Sequence, residues 1–166
     1  ILSEEHLAAK QDYLASLDTL PKAQAGQSPN VVVILFDDMG YGDISAYGNN
    51  LISTPNIDQA AKDGLMMTSG FSSAPYCTPA RAGLLTGRLA GRMNLNQVTF
   101  PHNSPLDLMM RFRGTGTALP QDEVTLAEIL KARGYRTHMV GKWHLGDGVN
   151  SQPLDFGFES YFGVLF

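Results

Sequence analysis

The chain has a single cysteine, Cys77, and the residues around it could bind and attack a tetrahedral oxyanion. In Cys77-Thr78-Pro79-Ala80-Arg81, Pro79 suits the first turn of a helix, where a missing N–H costs nothing. A helix start carries partial positive charge and outward N–H groups, so it favours an anion. Arg81, four residues on, falls on the same side of that helix. Its planar fork of donors fits oxyanion geometry. The competing reading is a buried Cys77 beside an Arg81 in a surface ion pair. With one cysteine, no disulfide can form within the chain.

Two further groups could act with it. Asp37 and Asp38 directly follow the apolar run Val31–Phe36. Adjacent carboxylates at the edge of a core need a cation to offset them, and calcium or magnesium suits oxygen ligands. The alternative is that they only shape a turn. Lys142 and His144 are spaced by two, so they project to one face if the chain is extended there. A lysine to hold an oxyanion and an imidazole to move a proton suit ester hydrolysis. The alternative is a rim lysine and a histidine packed on Trp143. His6, His102 and His138 have no supporting pattern.

The elements that must position these groups follow from periodicity and punctuation. Residues 3–18 read as an amphipathic helix, capped by Ser3, with Leu7, Leu14 and Leu17 near one face. Residues 21–30 read as a linker, so residues 1–28 form an arm ahead of a main domain at 29–166. The β-branched run 31–36 fits a strand buried on both faces of a parallel sheet. Thr54-Pro55 starts a helix that Gly64 closes. A helix near Cys77 runs to about Thr86-Gly87. Residues 93–122 show no period and read as a long loop. Thr125-Leu126-Ala127-Glu128 is a capping box whose helix has Leu126, Ile129 and Leu130 as its apolar face. Tyr135–Val140 reads as a strand, and no closing element is apparent after Glu159. Strands alternating with helices predict an α/β fold with a mostly parallel sheet flanked by helices. In such sheets ligands bind beyond the carboxyl ends of strands, where both Asp37-Asp38 and Lys142–His144 would lie.

Bulk properties exclude several classes. The net charge of −4 gives no basic footprint for nucleic acid. The composition, 43% hydrophobic and 17% charged, belongs to a globular domain. No apolar run is long enough to span a bilayer. Ile1–Lys10 carries Glu4, Glu5 and Lys10, so no signal peptide is expected in this chain.

Taken together, the motifs resemble those of the type I sulfatases. Cys77-Thr78-Pro79-Ala80-Arg81 with Gly83-Leu84-Leu85-Thr86-Gly87-Arg88 is similar to that family's signature. The likeness extends through Pro29-Asn30-Val31, Asp37-Asp38-Met39-Gly40 and Thr54-Pro55-Asn56-Ile57-Asp58 to Gly141-Lys142-Trp143-His144-Leu145-Gly146. It covers about residues 29–163 and is weakest over 93–120.

The resemblance implies an alkaline-phosphatase-like α/β fold and hydrolysis of aryl or carbohydrate sulfate esters. It implies conversion of Cys77 to formylglycine by a formylglycine-generating enzyme that reads Pro79 and Arg81. The hydrated aldehyde would attack sulfur, and its second hydroxyl would let the aldehyde re-form and release sulfate. Asp37, Asp38 and the converted residue 77 would bind calcium, or magnesium in its place. Arg81 would stabilise the ionised diol, Lys142 would bind a sulfate oxygen, and His144 would contact residue 77 as a base. The implied location is the periplasm, the exterior or, in a eukaryote, the lysosome.

The family draws further metal ligands and a second His and Lys from later in the chain, and no such motif occurs here. The expectation is therefore an N-terminal portion with about half a site, inactive without the remaining C-terminal part. Two other readings are a phosphonate monoester or phosphodiester hydrolase of the same superfamily, and an inactive binding module. The specificity surface is expected over 93–120, with Asn94, Asn96, His102, Arg111 and Arg113.

Overall fold

The computed structural model describes residues 4–166. The Ser3 cap lies outside the described residues. The chain divides into two compact units: residues up to Asn30 together with Ser72–Phe166, and Val31–Phe71.

In the first unit, α1 (Glu4–Asp18) leaves Leu7, Leu14 and Leu17 half-buried, as their spacing predicts. Lys10 shares that face. Its ammonium reaches Glu128 Oε1 at 2.7 Å and the carbonyls of Gln121 and Glu123 at 2.9 and 2.7 Å. It also lies 5.5 Å from the centre of the Phe156 ring. A nearly buried charge is tolerated because its donors are all paired. These contacts hold the arm to α5 (Leu126–Ala132).

Helix α5 keeps its capping box: Thr125 Oγ1 accepts from Glu128 N–H at 3.2 Å, and Thr125 N–H donates to Glu128 Oε2 at 2.9 Å. Its buried residue is Ala127, while Leu126 faces outward, so the apolar face differs from expectation. Gly157 passes so close to the start of this helix that a Cβ on it would sit 2.5 Å from Glu128 N.

Helix α3 (Cys77–Thr86) begins at Cys77 itself, with Pro79 in the first turn. Gly87, at φ +68°, ends it by donating to Gly83 O at 2.9 Å. The 93–122 stretch is more ordered than expected. Residues Ala90–Met93 form a short 3-10 turn, and Pro105–Phe112 form α4. Ser104 caps α4 by accepting from Asp107 N–H at 3.2 Å, and Pro105 occupies its first position. Eight residues are too few to establish a period, which hides this helix from pattern reading.

The sheet among the described residues is one parallel pair, β1 (His138–Lys142) and β2 (Ser160–Val164). Strand β1 runs later than the sequence suggests and carries Lys142 as its last residue. Strand β2 is the closing element that the sequence did not reveal. Beneath the pair lies a core containing Leu95, Leu119, Trp143, Leu145 and Phe156, all buried.

The second unit departs from expectation at Val31–Phe36. The run is not a strand among the described residues, and Val32 and Ile34 are 78% and 76% exposed. A strand requires a neighbour for its N–H and C=O groups, and the described sheet contains β1 and β2 alone. Further on, α2 (Pro55–Asp63) starts as predicted. Thr54 does not cap the α2 backbone with its hydroxyl; it donates to Asp58 Oδ1 at 3.0 Å, and Ser45 Oγ donates to Asp58 Oδ2 at 2.6 Å.

Two expected outcomes follow. Gly163 pairs with Gly141, and a Cβ on Gly163 would lie 1.9 Å from Gly141 O. Backbone cannot yield as a side chain does, so Gly163→Ala should cost about 3 kcal/mol or more by thermal or urea unfolding. A loss under about 0.5 kcal/mol, the scale of an ordinary surface change, would contradict the close pairing. The Ser45 hydroxyl is the largest influence on Asp58; with help from Thr54, the Ala46 backbone and Lys62 it outweighs burial, the second largest, and holds the carboxyl below its ordinary value of 3.8. A depressed carboxyl stabilises the fold above its unfolded pKa and stops doing so as pH falls through the depressed value. An NMR titration should therefore place Asp58 below 3.8, and Asp58→Asn should remove that part of the acid sensitivity. A midpoint at or above 3.8 would contradict the network.

Candidate active site

The first unit assembles Cys77, Arg81, Lys142 and His144. Cys77 is the first residue of α3 and half-buried, so its side chain stands at the positive end of the helix. Lys142 closes β1, and its Nζ lies 3.5 Å from Cys77 Sγ. Arg81 is 9% exposed and donates through Nη1 to the Lys142 carbonyl. One arginine of α3 thus fixes the backbone position of the lysine that faces the first residue of the same helix.

At His144 the condition for a shared face with Lys142, an extended chain, is not met. The chain continues beside β2, with Trp143 and His144 N–H groups donating to Val164 and Leu165 carbonyls at 3.0 and 2.9 Å. At His144 it turns into the left-handed region, φ +57°. Such a conformation costs about 1–3 kcal/mol in a non-glycine residue and persists where surrounding contacts impose it. Here the contacts are buried hydroxyls. Thr78 Oγ1 donates to the His144 carbonyl at 2.9 Å, and Thr99 Oγ1 donates to the same oxygen at 3.3 Å. The Thr99 N–H donates to Thr78 Oγ1 at 3.1 Å.

The ring of His144 is held as well. Its Nε2 lies 3.1 Å from Thr99 O, and a carbonyl only accepts, so Nε2 carries the proton. Any basic lone pair on the neutral ring is then on Nδ1. The ring also meets Phe166 edge-on at 5.4 Å. Trp143 does not stack on His144. It is fully buried against Phe156 and donates Nε1–H to Ser151 O at 2.8 Å.

Thr78 and Thr99 are the residues that sequence reasoning missed. Thr78 falls between the Cys, Pro and Arg that define the Cys-x-Pro-x-Arg pattern, and Thr99 lies where the sequence shows no period. Both are buried hydroxyls whose importance depends on a contact more than twenty residues away.

Asp37 and Asp38 belong to the second unit. Both are exposed, and one carboxylate oxygen of each lies within 4.8 Å of one of the other. Asp38 has φ +55°, a second left-handed non-glycine residue among the candidates. The turn that follows is closed by Asp43, whose Oδ2 accepts from Gly40 N–H at 2.6 Å. Two hard oxygen donors brought together in this way fit calcium or magnesium in donor chemistry.

Comparison with known proteins assigns the family. The model of the Sulfatase family matches residues 29–165. Human arylsulfatase A is 46% identical over 138 residues, which are 82% of this chain and 25% of that protein. Human arylsulfatase H is 42% identical over 144 residues, 83% of this chain and 25% of that protein. The crystal structure of the PsFucS1 sulfatase from Pseudoalteromonas sp. matches with a TM-score of 0.71 and 34% identity, covering 99% of this chain and 30% of that one. The chain spans about a quarter of the length of the curated relatives it matches. Its fold class is accordingly that of the alkaline-phosphatase-like α/β enzymes, with helices and a short parallel sheet. The chain belongs to the Sulfatase family.

Proposed function

We propose that the protein hydrolyses sulfate esters, with residue 77 as formylglycine and the side chains around it acting on the sulfate group. The observation that carries this reading is Lys142 Nζ at 3.5 Å from Cys77 Sγ, at the start of a helix. Sγ stands here for the oxygen that a converted residue would carry. A cation and a helix terminus facing that point favour negative charge there, which is what an attacking oxygen and a sulfate both bring. A hydrated aldehyde at this position supplies an oxygen nucleophile that can release sulfate by re-forming its carbonyl.

In this reading Lys142 neutralises a sulfate oxygen. Arg81 stabilises the charge on residue 77 and keeps Lys142 in place through its carbonyl. His144 takes a proton through Nδ1, because Thr99 occupies Nε2. Asp37, Asp38 and residue 77 would hold a calcium or magnesium ion, which would lower the pKa of an attached hydroxyl and draw charge from a bound sulfate oxygen. Residues 29–166 would carry this part of the catalytic domain, and residues 1–28 the arm.

The maturation partner would be a formylglycine-generating enzyme, and the working compartment the periplasm, the exterior or a lysosome. Further site groups would come from the part of a full-length sulfatase that corresponds to the rest of its relatives' length.

The test is turnover of an aryl sulfate and the matched aryl phosphonate by the mature full-length protein. The sulfate should be preferred, and Lys142→Ala should lower kcat by about 10²–10³, the scale of one lost oxyanion donor. Chelation should abolish the activity and added calcium should restore it. Preference for the phosphonate, or a Lys142→Ala protein with unchanged kcat, would overturn the proposal.

A further inference from the structure

Thr78 and Thr99 are 0% and 1% exposed, so neither hydroxyl can touch a substrate. Whatever they contribute to a reaction must pass through the residue they hold, His144.

His144 is held at three points. Its N–H donates to Leu165 O at 2.9 Å. Its carbonyl accepts from Thr78 Oγ1 at 2.9 Å and from Thr99 Oγ1 at 3.3 Å. Its ring Nε2 donates to Thr99 O at 3.1 Å. The first two points fix the peptides on either side of the Cα, and with them the direction of the Cα–Cβ bond at φ +57°. The third fixes the ring about its own torsions and keeps the proton on Nε2. Thr99 thus grips His144 at both ends, the carbonyl through its hydroxyl and the ring through its own carbonyl.

The two hydroxyls also order each other. Thr78 Oγ1 accepts from the Thr99 N–H at 3.1 Å and lies 3.2 Å from Thr99 Oγ1. A hydroxyl has one proton, and that of Thr78 is committed to the His144 carbonyl, so towards Thr99 it accepts. Valine at position 78 would fill nearly the same volume. It would still remove the acceptor of a buried N–H and the shorter of the two hydroxyl bonds to the His144 carbonyl. A left-handed residue that loses such anchors relaxes towards the extended region, and its side chain swings with it. A turn alone would favour glycine at this φ. An imidazole kept there by two buried hydroxyls is aimed where an extended chain would not carry it.

We propose that Thr78 and Thr99 are positioning residues, which keep the His144 imidazole in one orientation and one tautomer for the proton transfer that releases sulfate. The proposal rests on the sulfate-ester reading above. In that release the proton of the second hydroxyl on residue 77 passes to His144 Nδ1 and the O–H electron pair closes the C=O bond. The C–O bond to sulfate breaks, and its electron pair leaves on the sulfate. Thr78 follows residue 77 directly, so α3 carries the nucleophile position and the anchor of its base on consecutive residues.

A base that acts only after the alcohol has left changes kcat but not kcat/KM, because kcat/KM ends at the first irreversible step. The test uses the mature full-length protein and 4-nitrophenyl sulfate, with rates expressed per converted residue 77 as read from its peptide mass. Thr78→Val should lower kcat about ten-fold or more and KM in the same proportion, leaving kcat/KM within about three-fold. Thr99→Val, which lies outside the cysteine motif, should show the same pattern at smaller size, and Thr78→Ser should restore the parent values. A second readout needs no turnover. In spectra of nitrogen-15-labelled histidine, the parent His144 ring should carry its proton on Nε2, and Thr78→Val should lose that fixed tautomer. A kcat that falls with KM unchanged would report lost folding alone and overturn the proposal. So would a parental kcat in both valine variants, or a ring proton on Nδ1 in the parent. If the parent turns over no sulfate ester, the sulfate-ester reading fails by itself, and the ring spectra still decide whether the threonines hold His144.

Discussion

The arrangement depends on the contact between the Arg81 guanidinium and the backbone carbonyl of Lys142. Arg81 is buried within α3, and a buried guanidinium requires acceptors in fixed positions. The acceptor it uses here is the last peptide of β1. That choice ties a helix to a strand separated from it by more than fifty residues. It also sets how near the Lys142 ammonium comes to the first residue of the helix. A substitution that shifted β1 along its axis would break this tie before it disturbed any side chain of the site. The close Gly141–Gly163 pairing guards against such a shift, because the strand partner leaves no room for a side chain.

The same segment then leaves extended geometry at His144, and the cost of its left-handed turn is offset by buried hydrogen bonds to its carbonyl and ring. Those bonds come from Thr78, the residue beside Cys77, and from Thr99. Cys77, Lys142 and His144 are therefore joined by contacts of Thr78, Thr99 and Arg81 and are not three separate surface groups.

Legibility in the sequence followed the range of the interaction. Local chemistry was readable: Pro79 and Gly87 mark the ends of α3, and the Thr125–Glu128 capping box marks the start of α5. The Cys77–Arg81 and Gly141–Gly146 motifs carried the family. The rest was hidden because it depends on distant partners. Strand β2 has only five residues, one of them Gly163, and β1 in register beside it defines it as a strand. The run Val31–Phe36 shows the reverse: apolar, β-branched residues state a preference, yet without a paired neighbour the segment forms no strand and is exposed. The spacing of Lys142 and His144 places both on one face only if the chain is extended there, and no single residue type in Trp143-His144-Leu145 announces the left-handed turn that His144 takes. The two threonines that impose it lie elsewhere in the chain.

The central claim is that residue 77 works as a carbonyl and not as a thiol, with Lys142 and Arg81 arranged around an oxygen. The most direct measurement is the mass of the peptide containing residue 77, taken from the protein as its natural host produces it. Conversion replaces the side-chain CH2SH by CHO, so the peptide should lose one sulfur and two hydrogens and gain one oxygen. It should also form an adduct with a hydrazine reagent. A peptide that retains its full sulfur content and resists hydrazine would contradict the claim.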